Sequence, residues 1–142
     1  MRYARTLIPI MLVPMMLASI AAPTRSAPND PIRVELNLAE GAQGKCRLSF
    51  LIENKSDTPI ERLTPDLAIF NREGIIQRRL VAEMGPVYRS KTIIKTFEIE
   101  GECGQIGSIL LNDITACAPG DPAACLDRLV LSSRVPNISL FR

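Results

Sequence analysis

Four side chains in this sequence could carry covalent or metal chemistry: Cys46, Cys103, Cys117 and Cys125. A thiolate can act as a nucleophile, a metal ligand or half of a redox pair, and each role needs helpers nearby. Zinc sets built on cysteine use C-x2-C spacing or add histidine. Cys117 and Cys125 are spaced C-x7-C, and the chain has no histidine at all. The missing histidine also removes the usual general base, the usual nucleophile activator and the commonest metal ligand. An even cysteine count in an exported chain reads instead as two structural disulfides. Four cysteines allow three pairings. The stretch from Ala118 to Ala124 is rich in turn residues and brings its ends together, which favours Cys117 with Cys125 and leaves Cys46 with Cys103. The alternative use of Cys117 and Cys125 is a thiol–disulfide redox pair.

Other groups offer weaker chemistry. Glu98, Glu100 and Glu102 alternate and could share one strand face as paired carboxylates, but a solvated acidic edge is the simpler reading. Arg78, Arg79, Lys91 and Lys95 could form a basic patch, yet neighbours on a strand point to opposite faces. Gly101-Glu102-Cys103-Gly104 is a turn better suited to seating a disulfide than a phosphate, and no dinucleotide or Walker-type glycine loop is present. Met84 stands alone after the N-terminal segment, which excludes a methionine copper site. Asn54-Lys55-Ser56 and Asn137-Ile138-Ser139 match the N-glycosylation triplet, a pattern common by chance. The sequence therefore predicts no catalytic residue, no cofactor-binding residue and no metal ligand.

The first residues have the three-part order of a secretory signal. Arg2 and Arg5 are basic, Leu7 to Ile20 is apolar and uncharged, and Ser19-Ile20-Ala21 offers small residues for cleavage after Ala21. As a helix the apolar run spans about 21 Å, short of the roughly 30 Å hydrocarbon core, and Pro9 and Pro14 interrupt it. No Arg-Arg pair precedes it and no lipidation cysteine follows it. This predicts a signal peptide over 1–21, a proline-bearing leader over 22–31, and one domain over 32–142 without a stable membrane anchor. Without Arg2 and Arg5, the 17 basic residues fall to 15, equal to the 15 acidic ones. Near-neutral charge argues against nucleic-acid binding and against docking on anionic lipid.

The elements that must position these groups are short and strand-like. Ile32 to Leu38 alternates, with Val34, Leu36 and Leu38 on one face. Cys46 to Asn54 alternates too, with Cys46, Leu48, Phe50 and Ile52 inward. Asn54 to Pro59 is a turn, and Asn71-Arg72-Glu73-Gly74 is a hairpin loop between Leu67–Phe70 and Ile75–Val81. Gly85-Pro86 marks a further turn before Lys91 to Ile99, where Ile93, Phe97 and Ile99 share a side. Ser108 to Thr115 and Leu129 to Ser133 complete the set, with one helical turn considered around Leu126 to Leu131. About seven strands and no other helix predict an all-β, Ig-like antiparallel β-sandwich. No tryptophan is present, which excludes a true antibody-type core.

The runs Leu48 to Ser56, Leu67 to Gly74 and Thr96 to Ile99 resemble bacterial Ig-like sandwich modules. Ile109-Leu110-Leu111-Asn112-Asp113, together with Cys117 and Cys125, resembles a group of small exported alphaproteobacterial domains often labelled by a twin-arginine signal, which this chain lacks. The resemblance covers roughly 32–134, implies the fold, and carries no activity. Taken with the absent site chemistry, it predicts a non-enzymatic periplasmic or secreted binding or accessory module. Its expected partner is an envelope protein, held at a sheet edge or by the loops at one end.

Overall fold

The structure, a computed structural model, describes residues 30–142. The signal peptide expected over 1–21 and most of the leader expected over 22–31 lie outside the described residues. Eight strands occur in chain order: β1 (Ile32–Ala42), β2 (Lys45–Asn54), β3 (Arg62–Asn71), β4 (Ile76–Val81), β5 (Lys91–Glu100), β6 (Ile106–Ala118), β7 (Leu129–Ser133) and β8 (Ser139–Phe141). A helix, α1 (Pro122–Arg128), lies between β6 and β7. The strands form two four-stranded sheets, ordered β5-β2-β1-β7 and β4-β3-β6-β8.

Period-two patterning explains why these sheets stack. In β2, Cys46, Leu48, Phe50 and Ile52 are buried, while Lys45, Arg47, Ser49, Leu51 and Glu53 turn away from the core. From the second sheet, Leu67 and Ile69 of β3 face Ile109 and Leu111 of β6 in register, and all four are buried. The shared core includes Leu36, Phe50, Leu63, Met84 and Ile114. The all-β sandwich expected from alternation is the fold observed.

Four details depart from the sequence reading. The strands number eight, because Ser139–Phe141 adds a three-residue strand too short to show a period. Two of the pairings, β1 with β7 and β6 with β8, are parallel, so neither sheet is purely antiparallel. Parallel neighbours need long crossovers, which no local turn signal reveals. Leu38, expected inward, is 43% exposed, because a bulge between Leu36 and Leu38 shifts the register and turns Ala39 toward Leu48 instead. The helix starts earlier than Leu126. Asp121 accepts a hydrogen bond from the Ala124 N–H, Pro122 fills the first turn, and Ala123 and Ala124 favour helix. From Leu129 the chain is strand.

Candidate functional site

The four cysteines form two disulfides, Cys46–Cys103 and Cys117–Cys125. Cys46 is buried on β2, and Cys103 lies in a 3-10 turn just before β6, with Cα atoms 4.9 Å apart. This bond ties the first sheet to the turn that leads into β6 of the second. Cys117 ends β6 half-buried, Cys125 is buried on α1, and their Cα atoms are 6.5 Å apart. That bond fastens the helix to the sheet. Two disulfides mark an oxidising compartment outside the cytoplasm. No helix among the described residues is long and apolar enough to cross a membrane.

Three of the charged candidates, Glu98, Glu100 and Arg79, are held in ion pairs. Arg47 Nη2 lies 3.0 Å from Glu98, and Lys45 Nζ lies 3.5 Å from Glu100, both across the β2–β5 ladder. On the same outer face Arg33 pairs with Glu53, and Arg134 with Glu35. Glu102 lies beyond the end of β5, so the three glutamates do not form one catalytic row. The Glu35 carboxyl is held below its ordinary range, first by the Asn37 amide and, against the cost of burial, by Arg134 and Ser132. The four basic residues do not form one patch either. Arg78 and Arg79 belong to β4, and Lys91 and Lys95 to β5 of the other sheet. Among the described residues no three His, Cys, Asp or Glu side chains form a metal-binding group.

Asn54 is the most committed polar side chain. It is 1% exposed. Its amide donates to the carbonyls of Thr58 at 2.9 Å and Val87 at 3.2 Å, and its Oδ1 accepts from the Ser56 N–H and hydroxyl. Asn54 therefore anchors the turn after β2 to the loop before β5. Of the two glycosylation triplets, only Asn137 is exposed.

The outer face of the first sheet mixes these ion pairs with exposed Leu38, Ile94 and Val130, and the outer face of the second carries an aromatic pair. Ala68, Phe70, Leu110 and Phe141 lie on it by register, as do Ile76 and Val81 of β4. The Phe70 and Phe141 rings stand 6.5 Å apart. Ile76, Val81 and Phe141 remain 53%, 61% and 43% exposed. The polar group beside them is closed on itself. Asp66 accepts from Arg79 and, at 3.0 Å, from Asn112. The Arg79 bond, opposed by burial and aided by Asn112, holds the Asp66 carboxyl below its usual range. Sequence reasoning missed this face, because Phe141 belongs to the unpredicted β8 and joins Phe70 only through β6.

On one side the sandwich is open between the edge strands β4 and β5. Ile69, Ile99 and Ile106 form the floor of a cleft of about 270 Å³, and Arg78, Glu100 and Glu102 line its walls. A second cleft, of about 330 Å³, lies over Cys117 between Asp30, Asp57 and Arg128.

The fold and these surfaces define an all-β, two-sheet domain fastened by two disulfides. No known protein family, curated protein or solved structure matches the chain.

Proposed function

We propose that this chain is a non-enzymatic binding or accessory module of the periplasm or of the secreted fraction, and that it holds a protein partner of the envelope. The observation that carries this reading is the apolar group on the outer face of the second sheet, where the Phe70 and Phe141 rings stand 6.5 Å apart beside exposed Ile76 and Val81. On the outer face of the first sheet Arg33, Glu35, Lys45 and Arg47 each pair with an opposite charge, among the exposed side chains of Leu38, Ile94 and Val130. On the second, exposed apolar residues surround an arginine already neutralised by Asp66. Apolar and aromatic residues with a central arginine are the composition of a protein interface core. The connectivity matches an Ig-like sandwich in β1, β2 and β5 of one sheet and β3 and β6 of the other, while β4 and β7 each lie in the sheet opposite to that of a constant-type domain. The redox alternative has less support, because Cys125 is buried and its partner Cys117 is half-buried.

The test is cross-linked capture from envelope extract by the full chain and by Ile76→Lys/Val81→Lys. Both positions are exposed, so the variant should keep the wild-type melting temperature. The wild type should retain a discrete partner that the variant loses. Equal capture by both would overturn the assignment to this face. A Cys117–Cys125 bond reduced by mild thiol would favour the redox alternative.

A further inference from the structure

The free edge of β5 combines three features. It is the longest of the four sheet edges, 10 residues against 6 in β4, 5 in β7 and 3 in β8. Its core-facing residues are incompletely covered. Ile93 and Phe97 are half-buried, whereas Ile52 and Leu48, their partners on β2, are fully buried. Between them on the same face stands Lys95, opposite Phe50. Among the described residues the Lys95 ammonium makes no ion pair and no side-chain hydrogen bond, although Arg33, Lys45, Arg47 and Arg134 of this sheet and its margin all do.

An inward-facing charge on an edge strand selects what can pair there. A strand added to β5 would cover Ile93 and Phe97 and would remove Lys95 from water. An unpaired ammonium is costly to bury, whereas a carboxylate directly opposite turns the cost into a contact. A second copy of β5 cannot supply that carboxylate. Residues directly opposite on paired strands share a face, and the core-facing residues of β5 are Lys91, Ile93, Lys95, Phe97 and Ile99, with no acid among them. No two-fold antiparallel register of β5 on itself, in which the two copies share a core face, places an acid opposite Lys95. A wholly apolar strand fails for the same reason.

We propose that the β5 edge takes up an extended segment of a partner protein with the pattern apolar-x-acid-x-apolar. The acid lies opposite Lys95, and the apolar residues lie opposite Ile93 and Phe97. The affinity comes from main-chain pairing and the choice of partner from Lys95. This deepens the binding-module reading but uses a different surface from Ile76 and Val81.

The experiment uses the full oxidised chain and the capped peptide acetyl-Ser-Val-Thr-Glu-Thr-Val-Ser-amide, whose pattern suits either strand direction. A control peptide has lysine in place of glutamate. The glutamate peptide should shift the backbone amide signals of 91–100 saturably, and the lysine peptide should bind about tenfold more weakly. Lys95→Glu should reverse that preference. Lys95→Gln, which keeps the side-chain length, should abolish it and serves if Lys95→Glu does not fold. Absence of saturable shifts in β5, or equal affinity for both peptides, overturns the proposal. Ile76→Lys/Val81→Lys should bind the glutamate peptide normally, so failure here and failure of the sheet-face reading are distinguishable.

Discussion

Asn54 shows what one side chain can fix. It reads as a turn residue at the end of an alternating strand, and it is one. Its burial was not legible, because two of the carbonyls near its amide, those of Val87 and Tyr88, come from a loop far along the chain. Asn54→Ala would remove the donor shared by the Thr58 and Val87 carbonyls, each of which keeps one other donor, and would leave the buried Ser56 N–H without its acceptor. The expected cost is about 2–3 kcal/mol, read as a lower urea midpoint at unchanged slope. Asp66 governs a different property. Its carboxyl side chain is 11% exposed and its pKa lies below the ordinary value, chiefly through Arg79. The unfolded chain therefore binds the proton at a higher pH than the folded one does. The stability from Asp66 is complete above the ordinary carboxyl value of about 3.9 and is lost as pH falls through the lower folded value. Glu83 adds to the same limb. Burial raises its pKa, but bonds from the Thr64 hydroxyl and the Gly85 and Leu63 N–H groups, with the charge of Arg62, hold it lower on balance. Asp66→Asn should flatten the loss of thermal stability below about pH 4 while lowering stability at neutral pH. An unchanged acid limb would place the effect elsewhere.

At the level of elements, β2 was the most legible, since Cys46, Leu48, Phe50 and Ile52 all lie inward as alternation requires. The hairpin after β3 was legible for a chemical reason. Asn71 Oδ1 accepts from the N–H groups of Glu73 and Ile75, and Gly74 takes the positive φ of 78° that the turn needs. The bulge in β1 was not legible, because Asn37 fits an unbroken alternation equally well. Signals for α1 were present in Asp121-Pro122-Ala123-Ala124, but a proline- and glycine-bearing loop reads first as turns. Both cysteine pairings were legible, one from the turn-rich loop and the other by what remained. Their contributions should differ. The Cys46–Cys103 bond spans 57 residues and Cys117–Cys125 spans 8. In the chain-entropy picture these loops correspond to about 4 and about 2.5 kcal/mol. Replacing Cys46 and Cys103 together by alanine should therefore lower the urea midpoint more than replacing Cys117 and Cys125. Equal losses would mean that the unfolded chain already restrains the longer loop.

For the whole molecule, alternation was enough to read two stacked sheets, because it records only which side of each strand is buried. It does not record which strands become neighbours. The two surfaces proposed here depend on neighbours: Phe70 meets Phe141 through β6, and Lys95 stands on an edge because no strand among the described residues covers β5. These surfaces should respond oppositely to salt. On the second sheet Arg79 is already paired with Asp66, so a partner there is held mainly by apolar burial. The β5 edge relies on a new ion pair at Lys95. Raising salt from about 0.1 M to about 1 M shortens the screening length from roughly 10 Å to roughly 3 Å. Binding of the glutamate peptide should weaken across that range. Capture of the envelope partner through Ile76 and Val81 should persist, and sulfate salts should strengthen it by favouring apolar burial. A partner released by salt from the wild type, but captured equally by Ile76→Lys/Val81→Lys, would assign the main interface to the β5 edge instead.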